Sequence, residues 1–277
     1  MIIDTHHHLW EFNSHEYGWM DDSMEVLKRD HFPEELKTEM SRVGVTGTIV
    51  VQARQIIEET RWLLELAEEN PFIKGVVGWV DLRSTDLQKQ LEAYAFHKKL
   101  VGLRHVIHDE EDDEFMLRPD FISGIEAIQV YNLTYDLLIF PKHLMVAKEL
   151  VRRFPKQRFV LDHMAKPFIK SGVIQPWKDH IESLADQPNV WCKVSGMVTE
   201  ADLVGWKMED FMPYMEVVFG AFGTDRIMLG SDWPVCKLAG EYKEVLKIPL
   251  KFISNLSNGE KENIYSQNAI DCYQLEK

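Results

Sequence analysis

The sequence predicts an α/β fold, a (β/α)8 TIM barrel forming a single domain over residues 1–277. Three observations predict it. Eight short apolar runs recur along the chain, with amphipathic stretches between them. The runs are apolar at nearly every position, the pattern of parallel strands covered on both faces. The turn after the first run holds three histidines, where an open doubly wound sheet would want a glycine-rich phosphate loop. Eight strand–helix units also suit a chain of this length.

The first run, Ile2–Thr5, lies in MIIDTHHHLW. Three histidines near an N-terminus also fit the remnant of an expression tag, but such remnants are longer and flanked by Gly and Ser. Here a β-branched run precedes them and reads as a strand. Alternation along a strand sends His6 and His8 to one face and His7 to the other. The second run, Gly47–Gln52, precedes Glu58–Ala67, where Trp62, Leu63, Leu66 and Ala67 share one helical face. Asn70-Pro71 stops that helix before the third run, Gly75–Val80. The fourth, Val101–His105, is followed by the acidic segment Asp109–Glu114, most simply a solvated loop. The fifth, Thr134–Ile139, leads into a helical pattern over His143–Phe154, ended by Phe154-Pro155. The sixth, Arg158–Asp162, precedes a helix over Trp177–Ala185 that stops before Gln187-Pro188. Val190–Val194 and Arg226–Gly230 complete the set. The stretch Trp10–Phe32 is long for a loop and carries Trp10, Tyr17 and Trp19; it reads as a flap over a site or a packed surface excursion.

Composition excludes several classes. Hydrophobic content of 45% suits a globular protein with a sizeable core. No run of about 18 apolar residues suggests a membrane span, and no leader pattern opens the chain. Cys192, Cys236 and Cys272 are far apart and odd in number, so they read as buried small hydrophobes in a reducing cytoplasm. A net charge of −14, from 31 basic and 45 acidic residues, argues against nucleic acid and membrane surfaces as partners. A homo-oligomer is left open.

Barrel active sites gather at the C-terminal ends of the strands. The runs end in His6-His7-His8, Gln52-Ala53-Arg54, Arg104-His105 with His108 beyond, Asp162-His163-Met164-Ala165-Lys166, Lys193-Val194-Ser195-Gly196 and Ser231-Asp232-Trp233. Any one such group is more often a cap than a catalyst. Together, His6, His8, His163 and Asp232 would converge on one rim, because the first and eighth strands are neighbours in a closed barrel. Three imidazoles and a carboxylate can hold one divalent ion, zinc foremost.

The set His-x-His after strand 1, His after strand 6 and Asp after strand 8 resembles the amidohydrolase superfamily. IDTHHHLW, VVQAR followed by EET, GLRHVIHDE, VLDHMAKP, WCKVSG and GSDWPV resemble its amidohydrolase-2 branch of sugar lactonases, which includes L-fuconolactonase, L-rhamnonolactonase and 2-pyrone-4,6-dicarboxylate lactonase. The resemblance covers essentially the whole chain. It implies a barrel hydrolase of lactones, with Asp232 as the base that activates water. Two-metal relatives carry a bridging Lys or Glu after strand 4 and a His at the end of strand 5. Here Arg104-His105 stand after strand 4 and His143 lies past strand 5, so one metal is expected. Some relatives in the branch act without any metal.

This reading assigns Asp232 and His163 to catalysis and His6, His8, His163 and Asp232 to the metal. For a hydroxyl-rich sugar lactone, Gln52, Arg104, His105, His108 and Lys193 are candidate substrate contacts, with Trp10 and Trp233 as stacking faces. Structural roles compete: Gln52 could cap backbone, Arg104 pair with Asp81, and Lys193 neutralise Asp162. The alternative activity is a metal-dependent decarboxylase or hydratase of an unsaturated or aromatic acid. That chemistry wants several Arg residues on a carboxylate, and the strand ends offer only Arg54 and Arg104. A barrel that binds without turnover is the third reading.

Overall fold

Eight parallel strands, each hydrogen-bonded to the next in chain order, form the sheet of a computed structural model that describes residues 1–276. They are β1 (Ile3–His7), β2 (Gly47–Val51), β3 (Ile73–Gly78), β4 (Leu100–Val106), β5 (Thr134–Leu138), β6 (Phe159–Leu161), β7 (Val190–Val194) and β8 (Ile227–Leu229). Helices α1 (Pro33–Ser41), α2 (Ile57–Glu69), α3 (Leu87–Tyr94), α4 (Pro119–Gln129), α5 (Leu144–Arg153), α6 (Trp177–Ala185), α7 (Met208–Phe222) and α8 (Tyr242–Phe252) follow β1–β8 in turn. The short α9 (Asn258–Glu262) and α10 (Asn268–Tyr273) end the chain. The architecture is the (β/α)8 barrel expected.

Closure between β1 and β8 uses side chains and loop backbone. Thr5 Oγ1 donates to Leu229 O at 2.7 Å, and His7 bridges Trp233 in parallel. Asp4 locks the seam and ties it to α8. Its Oδ1 accepts from the Ser231 N–H, and its Oδ2 accepts from Ser231 Oγ and Tyr242 OH. Gly230 is required there, since a Cβ would sit 2.7 Å from His6 Cβ. All five β1 residues are buried, so the strand extends two residues past the Ile2–Thr5 run and includes His6 and His7.

The third strand starts and ends two residues earlier than its apolar run. Past Gly78 the backbone of Trp79 bonds the Thr60 hydroxyl, donating at 2.8 Å and accepting at 2.7 Å, instead of continuing the ladder. The segment 10–32 is a packed excursion. Trp10 and His31 exchange backbone hydrogen bonds at its base, and Trp10, Tyr17, Met20 and Leu27 form its own apolar cluster. No helix among the described residues is long and apolar enough to cross a membrane.

Candidate active site

Each central side chain is fixed by where its strand ends. His6 points into the barrel, while His7 faces β2, its Nε2 lying 3.0 Å from Thr48 Oγ1. His8 Nδ1 lies 2.8 Å from Val51 O. A carbonyl only accepts, so Nδ1 is the donor and Nε2 is the nitrogen turned toward Asp232. Asp232 donates its N–H to His6 O at 2.8 Å. Its backbone is left-handed, as are those of His163, Met164, Ala165 and Lys166, with φ between +52° and +58°. Such conformations cost about 1–2 kcal/mol per non-Gly residue and gather at functional sites. Gly196, with φ +61°, makes room for the imidazole of His163; a Cβ there would meet its Nδ1 at 2.5 Å. Ser195 Oγ lies 2.9 Å from that same nitrogen and sets the ring's orientation.

The four residues singled out by the strand ends meet. Asp232 Oδ1 lies 3.4 Å from His8 Nε2, 3.9 Å from His6 Nε2 and 3.9 Å from His163 Nε2. His6, His8 and Asp232 each present a ligand atom, all within 4.8 Å of one another; His6, Asp162 and His163 form a second such group. Burial holds His6 neutral and lowers His163 to about 4, against the pull of neighbouring carboxylates. Burial would raise Asp232, but His163, His8 and His6 outweigh it and keep the carboxyl well below its ordinary range. Neutral imidazoles beside an ionised carboxylate are the protonation states that a divalent cation requires of its ligands, and nitrogen with carboxylate oxygen is a donor set that zinc accepts.

Beneath lies a buried charge network. Lys193 Nζ contacts Asp136 Oδ2 at 2.6 Å and Asp162 Oδ1 at 3.0 Å. Asp162 Oδ1 lies 3.3 Å from His6 Nδ1, and Tyr273 OH donates to Asp136 at 2.7 Å. Burial lifts Asp136 to about 6, opposed by Lys193. The lone Asp136 inside an apolar run was the sequence signal for this network, since a buried carboxylate needs partners.

Above the four residues opens a cavity of about 410 Å3, lined on one side by His8, Arg104, His108, His163, Lys166 and Asp232. Trp10, Trp19, Met24, Leu203, Val235 and Leu238 form an apolar wall. The 10–32 segment thus contributes to the site as well as packing on the barrel. Of the expected substrate contacts, Trp10, Arg104 and His108 line the cavity; Gln52, His105, Lys193 and Trp233 do not. Gln52 is buried and accepts from Arg104. His105 turns outward, stacked on Phe115 with its Nε2 2.6 Å from Glu110. Lys193 is enclosed by its two carboxylates, as its structural role foresaw. Trp233 is fully buried against His31. Arg104 pairs with Asp162 at 3.0 Å rather than with Asp81. His143 instead faces Asp113, at 3.3 Å. The acidic loop is mostly exposed, though Asp109 borders the cavity. Lys166 and Glu200, 2.7 Å apart on the cavity wall, carried no signal in the sequence because nothing in it joins the two loops.

The amidohydrolase family profile matches residues 3–275. The chain is 39% identical over 244 residues to an L-fucono-1,5-lactonase of Burkholderia ambifaria, covering 87% of this chain and 82% of that one. It is 36% identical over 284 residues to an L-fucono-1,5-lactonase of Burkholderia multivorans, covering 99% and 96%. A crystal structure of a Burkholderia multivorans amidohydrolase with bound zinc superposes with a TM-score of 0.95 at 36% identity over the full length of both chains.

Proposed function

The chain belongs to the amidohydrolase family, and on that premise we propose that it hydrolyses sugar lactones with one divalent metal, zinc foremost. The observation that carries this reading is the convergence of His6, His8 and His163 on Asp232 at the floor of a cavity at the strand ends. The lactonase relatives support the substrate class, and the zinc-bound relative supports the metal.

In this reading His6, His8 and Asp232 would hold the ion, with His163 completing the set or facing the substrate. When bound, the ion supplies Lewis acidity and lowers the pKa of water. Asp232, ionised at neutral pH, takes the proton of the attacking water and returns it to the leaving ring oxygen. Ser195 holds the His163 ring with Nε2 toward Asp232. Asp162 Oδ1, 3.3 Å from His6 Nδ1, favours a proton on that nitrogen and so the tautomer that exposes Nε2. The apolar wall, including Trp10 and Trp19, excludes water from the far face of the ligand. One domain acts as the whole catalytic unit, and three buried free thiols fit a reducing, cytoplasmic setting.

A decarboxylase would need guanidinium donors free to hold a carboxylate. Arg104 is paired with Asp162 and held by Gln52, and Arg54 is tied to Glu16 and Glu59. The experiment is a pH-indicator screen over a panel of 1,4- and 1,5-sugar lactones, with and without chelator. Acid release that chelator abolishes is expected. Asp232→Asn should lower turnover at least about a thousandfold with an unchanged circular dichroism spectrum. Silence across the panel, or a fully active Asp232→Asn, would overturn the reading.

A further inference from the structure

Two side-chain cations reach the cavity wall, Arg104 and Lys166, and each is paired with a carboxylate of the protein. Four of the five N–H groups of Arg104 are held by protein oxygens. Its Nε donates to Gln52 Oε1, and Nη2 to Gln52 O and Oε1. Its Nη1 faces Asp162 Oδ2 at 3.0 Å and His6 Nε2 at 3.2 Å. A guanidinium has five such donors, so only the one facing His6 would be freed if a metal took that nitrogen, and the charge stays paired with Asp162. Lys166 has donors to spare, since an ammonium carries three, but its charge is matched by Glu200 at 2.7 Å. Both side chains are about four-fifths buried, at 17% and 21% exposure, so the pair is only partly screened by water. Asp109 adds a further carboxylate to the same wall.

Opening a lactone turns a neutral ligand into a carboxylate. An unpaired Lys166 would add to the hold on that product by charge; paired with Glu200 it does not. We infer that Glu200 is a specificity determinant: by neutralising Lys166 it makes the cavity favour the uncharged lactone and release the ionised product. The inference rests on the lactone reading for its biological meaning. Its physical content, rejection of an open-chain carboxylate by the matched pair, is independent of turnover.

The test is calorimetric binding of gluconate, a six-carbon sugar-acid anion, against sorbitol, its neutral counterpart, to the zinc-loaded protein and its variants at low and high salt. Glu200→Gln should bind gluconate at least tenfold tighter than the wild type, with the gain shrinking at high salt and sorbitol affinity little changed. The double variant Lys166→Met/Glu200→Gln should return to wild-type affinity. Lys166→Met alone should bind gluconate no tighter than the wild type, which keeps the test alive if Glu200→Gln does not fold. Unchanged gluconate affinity in Glu200→Gln would overturn the proposal, as would a double variant that keeps the gain. A lactone screen without turnover would leave this charge cycle intact, so the two failures are distinguishable.

Discussion

Glu59, in the first turn of α2, is fully buried and accepts the backbone N–H groups of Ala53 and Arg54, the latter at 2.6 Å. It holds the strand-end loop from which Arg54 reaches Glu16 in the 10–32 segment. Burial raises its carboxyl to about 7, opposed by the Arg54 N–H and guanidinium. In the unfolded chain it titrates near about 4.3. A raised folded-state pKa means its stabilising contribution is complete below the unfolded value and is lost as pH rises through about 7. Glu59→Gln cannot ionise. From pH 5 to pH 8 the variant should therefore gain on the wild type by about 1–3 kcal/mol, read from urea unfolding at several pH values. A difference constant with pH would show that Glu59 does not change its charge there. Strand alternation and strand-end position were enough to bring His6, His8, His163 and Asp232 together, because the fold converts sequence period into direction. Glu59 and the Lys166–Glu200 pair were invisible, since their roles depend on which loops meet.

The 10–32 segment behaves as an element in its own right. Its base is closed by the Trp10–His31 bridge, and Leu27 fills a cluster with Trp10, Tyr17 and Met20. Trp10 Nε1 donates to Arg29 O at 2.9 Å, tying the cluster to the return strand. Trp19 and Met24 then present their side chains to the cavity. Leu27→Ala should remove about 2–5 kcal/mol of local packing. The expected result is faster hydrogen exchange and proteolysis within residues 11–30, a raised KM, and strand amides as protected as before. Equal loss of protection in the strands would mean the segment folds only with the barrel. At this scale the sequence spoke clearly where apolar period was strong: α2, α5 and α6 lie within two residues of their predicted ranges. It was weaker for α3, which buries only Leu87 and Leu91 and has little face to display. It misplaced β3 because a run of apolar residues does not reveal when a threonine hydroxyl replaces a neighbouring strand.

Across the whole molecule, the barrel has two differently sealed ends. The strand C-termini open into the cavity, whereas the opposite end is plugged by the chain's last helix. Ala269, Cys272, Tyr273 and Leu275 pack on Ile3, Ile49, Val51, Val77, Val101, Val160 and Met228. Asn268 donates to Ile227 O at 2.7 Å and Arg158 to Cys272 O at 2.6 Å, clamping the plug to β8 and β6. Tyr273 also reaches the buried charges, so the plug supports the floor of the site through Asp136, Lys193 and Asp162 in turn. Burying Tyr273 and Leu275 is worth about 1.5–3 kcal/mol each, and deleting residue 269 onward would also expose the strands beneath. That deletion should leave no cooperative unfolding transition at room temperature, given total stabilities of about 5–15 kcal/mol. Tyr273→Phe keeps the apolar plug and removes only the hydroxyl, so it should cost about 1–3 kcal/mol. Asp136→Asn removes the acceptor charge of the same contact and half the compensation of Lys193. If the hydroxyl acts through Asp136, the two losses are not additive, and a double-mutant cycle by urea denaturation should give a coupling of about 0.5–3 kcal/mol. Additive losses would reduce Tyr273 to a packing residue and cut the link between plug and site.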